Sequence, residues 1–152
     1  MTVRRSARLR VGAYAVCLRD GQVLLARLTG RGAGRWTLPG GGIDHGEDPL
    51  DAVVREVAEE TGHDVVVDAL LGVDSVRLDI VRDENTVDHH ALRLVYAATV
   101  TGGELRSEVG GSTDAAAWVD LAELPGLPRL TLVDVGLDLL RERPRTGRLD
   151  PG

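Results

Sequence analysis

Apolar and polar positions alternate along "RLRVGAYAVCL" and again along "QVLLARL", with "RDG" between them. A period of two marks half-buried strands, and Asp20-Gly21 is a hairpin turn sequence, so the chain is expected to open with two antiparallel strands. Residues 29–42, "TGRGAGRWTLPGGG", read as a glycine-rich loop interrupted by Trp36 and Leu38. The period then changes. Leu50, Val53, Val54 and Val57 fall at i, i+3, i+4 and i+7, a helical stripe suited to packing on a sheet. Asp48 is placed to cap this helix, Pro49 suits its first position and Gly62 its C-terminal end.

The stretch 64–81 is β-like and is expected to break near Gly72. "RDENTVDHH" (82–90) is polar and reads as an exposed loop, "ALRLVYAATV" as a strand and "TGGE" as a turn. "SEVGGSTD" (107–114) reads as a second loop before the strand "AAAWVDL", and "LTLVDVGLDLLRER" as a closing amphipathic helix. No repeat or linker divides the chain. The expectation is one mixed α/β domain over residues 1–143, with 144–152 a flexible tail.

Composition narrows the partners. With 152 residues and 43% apolar content the chain has enough material for one core. The net charge of −6 argues against a nucleic-acid polymer as main partner but leaves small anionic substrates open, because a bound metal ion inverts the local field. All 18 basic residues are arginine, a residue that grips phosphate oxygens in bidentate fashion. The single cysteine, Cys17, sits in an apolar run, reads as a small core residue and fits a reducing cytoplasm. No stretch has the length of a membrane span, and "VGAYAVCL" lacks the cleavage site of an export signal, so cytoplasmic is the expected location.

The segment "REVAEETGH" (55–63) holds three glutamates in five positions. At about 100° per residue Glu56, Glu59 and Glu60 share one sector of the helix, with Ala52 one turn earlier adding no bulk there. Like charges at these spacings repel, so the sector is either a solvated acidic face or a ligand set for a hard divalent cation, which prefers oxygen donors.

Read outward, Gly41, Glu47, Arg55, Glu56, Val57, Glu59, Glu60 and Gly62 stand at the spacing Gly-x5-Glu-x7-Arg-Glu-aliphatic-x-Glu-Glu-x-Gly. This resembles the Nudix box, and "WTLPGG" resembles the usual approach to it. His63 departs from the pattern, which has an aliphatic residue there. The likeness extends over roughly residues 8–142, although only the box is specific.

That resemblance implies a Nudix-type α/β/α sandwich around a mixed β-sheet and a loop–helix–loop site for magnesium, with manganese able to substitute. Glu56, Glu59 and Glu60 would be ligands together with a backbone carbonyl of Gly40 or Gly41. Arg55 would pair with Glu47 and hold the loop against the helix. The implied reaction is hydrolysis of a diphosphate-linked nucleotide compound, Nu-P-P-X, most simply a nucleoside triphosphate or modified nucleotide. A general base is required. A box glutamate, Glu108, Asp114, His89 and His90 are the candidates, the histidines reading otherwise as solvated loop residues. Arg27 is a candidate phosphate contact, and Trp36 and Tyr96 are candidates for base stacking; Trp118 reads as core. The alternatives are a non-catalytic nucleotide sensor on the same fold and an isoprenoid diphosphate isomerase, for which Cys17 is poorly placed. The apolar strands permit a homodimer.

Overall fold

The computed structural model describes residues 4–151; the first three residues and the last lie outside it. Strand β1 (Arg4–Val16) runs parallel to β7 (Asn85–Gly103), and its Gly12–Tyr14 segment pairs antiparallel with β5 (Gly40–Gly42). Strand β6 (His63–Arg82) pairs antiparallel with β7 and completes a mixed sheet in the order β5-β1-β7-β6.

The chain leaves this sheet at Cys17. Only β2 (Leu18–Arg19) turns back onto β3 (Gln22–Leu28), across Asp20 and Gly21, both at positive φ as a two-residue type I′ turn demands. The expected hairpin is therefore present but short, and most of the first strand serves the other sheet. Strand β3 also pairs with β4 (Trp36–Thr37) and β8 (Thr113–Asp120), which together with β2 make the second sheet. The glycine-rich stretch is thus not a loop throughout. Its later part is paired to β3 and to β1, which fixes Gly40–Gly42 beside the first sheet.

Two helices cover opposite sides. Helix α1 (Pro49–Thr61) starts as expected, with Asp48 Oδ1 accepting from Leu50 N at 2.8 Å and Pro49 in the first turn, and it ends on Gly62 in the left-handed region. Its buried sector is Ala52, Val53, Val57, Glu60 and Thr61, whereas Leu50 is exposed and Val54 half-buried. The packing stripe is therefore rotated from the expected one toward the carboxylates. Ala52 and Val53 meet Ala13, Ala15, Leu24, Tyr96 and Ala98. Helix α2 (Thr131–Glu142) packs Leu132, Val133 and Leu139 on the other side, against Val16, Leu25, Leu38 and Val95. The result is an α/β/α sandwich.

Two further expectations change. The segment 82–90 is not a loop: only Asp83 and Glu84 turn, and β6 and β7 continue as one long hairpin through His89 and His90. Cross-strand polar pairs stabilise this apolar-poor ladder, with Arg77 on Asp88 at 2.6 Å and Ser75 against His90 at 2.8 Å. The segment after α2 is docked rather than frayed. Val73 N donates to Gly147 O at 2.7 Å, beside the register shift between Leu70 and Gly72, and Leu149 covers the core on the α2 side. Among the described residues, no helix is long and apolar enough to cross a membrane.

Candidate active site

The box is assembled where β5 passes under α1. Arg55 is its hub. Its Nε and Nη2 donate to Glu47 at 2.8 and 2.9 Å, a bidentate pair, and Nη1 donates to Glu56 Oε1 at 3.1 Å and toward Glu59 at 3.3 Å. Nη2 also reaches Gly42 O at 3.5 Å. Glu47 in turn accepts from Asp44 N at 3.1 Å. The Arg55 guanidinium, with that backbone N–H, holds the Glu47 carboxyl down at about 2. One cation thus ties the loop (Asp44, Glu47), β5 (Gly42) and two carboxylates of α1 into a unit.

Glu60 lies outside this network. It is 2% exposed and accepts only from Gly40 N, at 3.3 Å. Burial, then the charges of Glu56 and Glu108, push its carboxyl up to about 9 against the opposing Gly40 hydrogen bond. Burial raises Glu56 as well, opposed by Arg55. The two carboxyls lie close enough for each to influence the other's titration. Arg55 reaches Glu56 but not Glu60, so the pair is left short of positive charge and favours protons, which a divalent ion would displace.

The glycines carry the rest of the fit. A Cβ on Gly41 would stand 2.8 Å from Glu56 Oε1, and one on Gly40, at φ +150, would overlap the carbonyl oxygen of Ala13. Only bare backbone can lie this close to the carboxylates. The donor set, carboxylate oxygens against glycine backbone, suits a hard divalent cation. Among the described residues no three His, Cys, Asp or Glu side chains already converge as a closed ligand set, because Glu59 is held toward Arg55 and is half exposed.

The remaining sequence candidates separate. Glu108 is brought near, since its charge acts on Glu60, and it accepts from Thr113 Oγ1 at 2.9 Å. Asp114 is turned away, bonded to Arg27 Nε at 2.8 Å. Arg27 also lies 5.8 Å from the Trp36 ring, so these three form a cluster on the second sheet, and among the described residues none of their side-chain polar contacts reaches the box. Tyr96 is buried beneath α1 and is packing, not a free stacking platform. His90 faces Ser75, and His89 lines a hollow on the other face of β7. Cys17 is buried and its thiol is pushed up to about 12, which leaves it inert. His63, the departure from the box, is satisfied on both ring nitrogens: Trp118 Nε1 donates to Nε2 at 3.2 Å and Nδ1 faces Gly102 O at 3.4 Å.

The sequence reading missed Tyr14. Its ring lies over Gly12 and Gly40, and burial raises its hydroxyl above the usual range, opposed by the charges of Arg10 and Arg93 and reinforced by those of Glu60 and Glu56. The signal was available in the alternation Arg8, Arg10, Gly12, Tyr14 along one strand face.

The chain matches the model of the NUDIX domain over residues 7–138. It belongs to the NUDIX family. Among its NUDIX relatives, a putative 8-oxo-dGTP diphosphatase from Bacillus subtilis is 31% identical over 114 residues, 75% of this chain and 68% of that one. An ADP-ribose pyrophosphatase from Methanocaldococcus jannaschii is 36% identical over 118 residues, 77% of this chain and 65% of that one. The chain therefore spans about two thirds of the length of each. A MutT NUDIX hydrolase structure from Burkholderia pseudomallei superposes with a TM-score of 0.66 at 29% identity, covering 88% of this chain and 98% of that one. A NUDIX hydrolase from Nitrosomonas europaea shares the fold, with a TM-score of 0.71 at 24% identity over 92% and 93% of the two chains.

Proposed function

We propose that this NUDIX protein is a magnesium-dependent pyrophosphohydrolase acting on compounds Nu-P-P-X. The observation that carries the reading is the pair of buried Glu60 and half-buried Glu56 set against the bare backbone of Gly40 and Gly41. In the reaction, water adds its oxygen to one phosphorus and the bridging P–O bond breaks, giving Nu-phosphate and X-phosphate with release of two protons. A divalent metal bound here would supply charge neutralisation at the diphosphate and a lowered pKa for the attacking water. Glu56, Glu60 and the Gly40–Gly41 backbone would hold it, and Glu59, which faces Arg55, is the further carboxylate within the box that could join them.

Arg55 acts by position: pinned in bidentate fashion by Glu47, it fixes the helix against the loop. The proton acceptor is a carboxylate, Glu59 at the exposed end of the box or Glu108 beside Glu60, and the pH profiles of Glu59→Gln and Glu108→Gln separate the two. The relatives whose names refer to 8-oxo-dGTP and ADP-ribose support a nucleotide-derived small molecule as the substrate, and a nucleoside triphosphate or modified nucleotide is the simplest choice. A cytoplasmic location and a homodimer are compatible with this reading and are tested by fractionation and by light scattering.

The test is magnesium-dependent product release from a panel of nucleoside triphosphates, oxidised guanine nucleotides, ADP-ribose and dinucleoside polyphosphates. Turnover of at least one compound, lost by about 100-fold or more in Glu56→Gln, is expected for a ligand to the catalytic ion. Nucleotide binding without any turnover would favour a sensor instead.

A further inference from the structure

Side chains two apart along a strand share a face. On β1, Arg8 and Arg10 therefore project on the same side as Gly12 and Tyr14. Across the ladders Arg8 stands opposite His89, and His89 opposite Leu78; Arg10 stands opposite Ala91, and Ala91 opposite Val76. The small residues leave a hollow of about 470 Å³ with an apolar floor, and Arg31 and Arg82 contribute to its walls. That volume is in the range of small-molecule sites.

The charge in the hollow is unusual for a protein of net charge −6. Among the described residues five arginines line it and no carboxylate does. Arg93 is neutralised by Asp74 at 2.6 Å. Among the described residues Arg8, Arg10, Arg31 and Arg82 enter no ion pair. His89 registers the result: burial, then the charges of Arg10, Arg8 and Arg31, hold its imidazole below the usual range. Guanidinium groups converging without a counter-charge make an anion site, because arginine's fork matches phosphate oxygens. The hollow offers little for stacking a base. Its one large aromatic, Tyr14, is laid flat on Gly12, where a Cβ would come within 2.8 Å of its ring.

The hollow is continuous with the box. Gly12 pairs with Gly42, and a Cβ on Gly42 would come within 3.1 Å of the Arg10 guanidinium. With a strand rise of about 3.3 Å per residue, Arg10 lies about 7 Å and Arg8 about 13 Å along β1 from that point.

We infer that this hollow seats the part of the substrate beyond the scissile diphosphate, and that this part is itself phosphorylated, its extra phosphate gripped by Arg8, Arg10, Arg31 and Arg82. The inference rests on the hydrolase reading above and narrows it to diphosphate-linked compounds with a further phosphomonoester. The test uses matched pairs that differ only in that group: coenzyme A with dephospho-coenzyme A, and 2′-phospho-ADP-ribose with ADP-ribose. Affinities are measured by calorimetry with EDTA present, so that hydrolysis is off.

In at least one pair the phosphorylated member is expected to bind at least tenfold more tightly. That gap should close to within about twofold in the double variant Arg8→Gln/Arg82→Gln, both exposed positions, and in Arg31→Gln it should shrink. It should also narrow as salt is raised. Equal affinities within both pairs, a gap that persists in the double variant, or no measurable binding of either phosphorylated member would overturn the inference. Failure of the hydrolase reading has a different signature: no magnesium-dependent turnover of any compound, with the affinity gap intact.

Discussion

Replacing Gly41 by alanine separates the chemistry of the site from the stability of the fold. A Cβ there would lie 2.8 Å from Glu56 Oε1, 2.9 Å from its Cδ and 3.0 Å from Oε2. Ordinary contact begins near 3.4 Å, so the carboxylate must retreat by roughly 0.6 Å. Gly41 is not in the left-handed region, and the obstructing atoms end a flexible side chain, so the backbone need not move. The folding cost is then about 1 kcal/mol or less, mainly a weakened Arg55–Glu56 pair. Catalysis has no such tolerance, since a misplacement approaching 1 Å costs on the order of 100-fold.

Gly40→Ala is the contrast. It places a Cβ on the carbonyl oxygen of Ala13 and against the Tyr14 backbone at φ +150, which costs about 3 kcal/mol or more of stability. Urea denaturation midpoints and kcat measured on both variants supply the assay. Gly41→Ala is expected to keep a near-native midpoint and lose about two orders of magnitude in kcat. Wild-type turnover in Gly41→Ala, or equal destabilisation by both variants, would refute the reasoning.

Other parts of the molecule make independent predictions. His63→Val leaves the partly buried Trp118 N–H without its acceptor and should cost about 1 kcal/mol; Trp118→Phe in the same chain should recover part of that loss, and purely additive costs in a denaturation double-mutant cycle would exclude the pairing. Truncation after Arg143 removes the acceptor of Val73 N and the cover supplied by Leu149, so the urea midpoint should fall by the equivalent of about 1–3 kcal/mol, whereas a free tail would leave it unchanged. Burial raises the Cys17 thiol from 9.0 to about 12, so the folded state favours the protonated form. Its contribution is complete below pH 9 and is lost as pH rises toward 12, by at most about 4 kcal/mol. Cys17→Ala should therefore flatten stability against pH across that window, and an unchanged alkaline slope would show that the thiol is not so held.

The box was legible because its signals are local. Asp48, Pro49 and Gly62 cap one helix, and the spacing from Gly41 to Gly62 lies within one loop and one helix, so no long-range contact is needed to read it. The elements that misled depend on partners far away in sequence. β1 divides between two sheets at Cys17, and nothing in the alternation of 8–18 says which strand lies alongside. The polar run 82–90 looks like a loop because its cohesion comes from cross-strand pairs such as Arg77 with Asp88 rather than from burial. Tyr96 reads as a stacking candidate until α1 is laid over it. The arginine hollow was invisible for the same reason: Arg8 and Arg10 are 23 and 21 residues from Arg31 and Arg31 is 51 from Arg82, and only the folded chain, with β1 paired to β7 and β7 to β6, brings them to one hollow.

On the proposed reading, the buried Glu60 and half-buried Glu56 carboxyls, backed by Gly40 and Gly41, hold the divalent cation. The most direct test of that reading is Mn2+ binding followed by electron paramagnetic resonance in the wild type, Glu60→Gln and an exposed control, Glu142→Gln. The near-isosteric Glu60→Gln is expected to fold normally but bind Mn2+ at least about 10-fold more weakly, as loss of a ligating carboxylate requires, while Glu142→Gln binds as the wild type does. Wild-type affinity in Glu60→Gln would place the ion elsewhere and contradict the account.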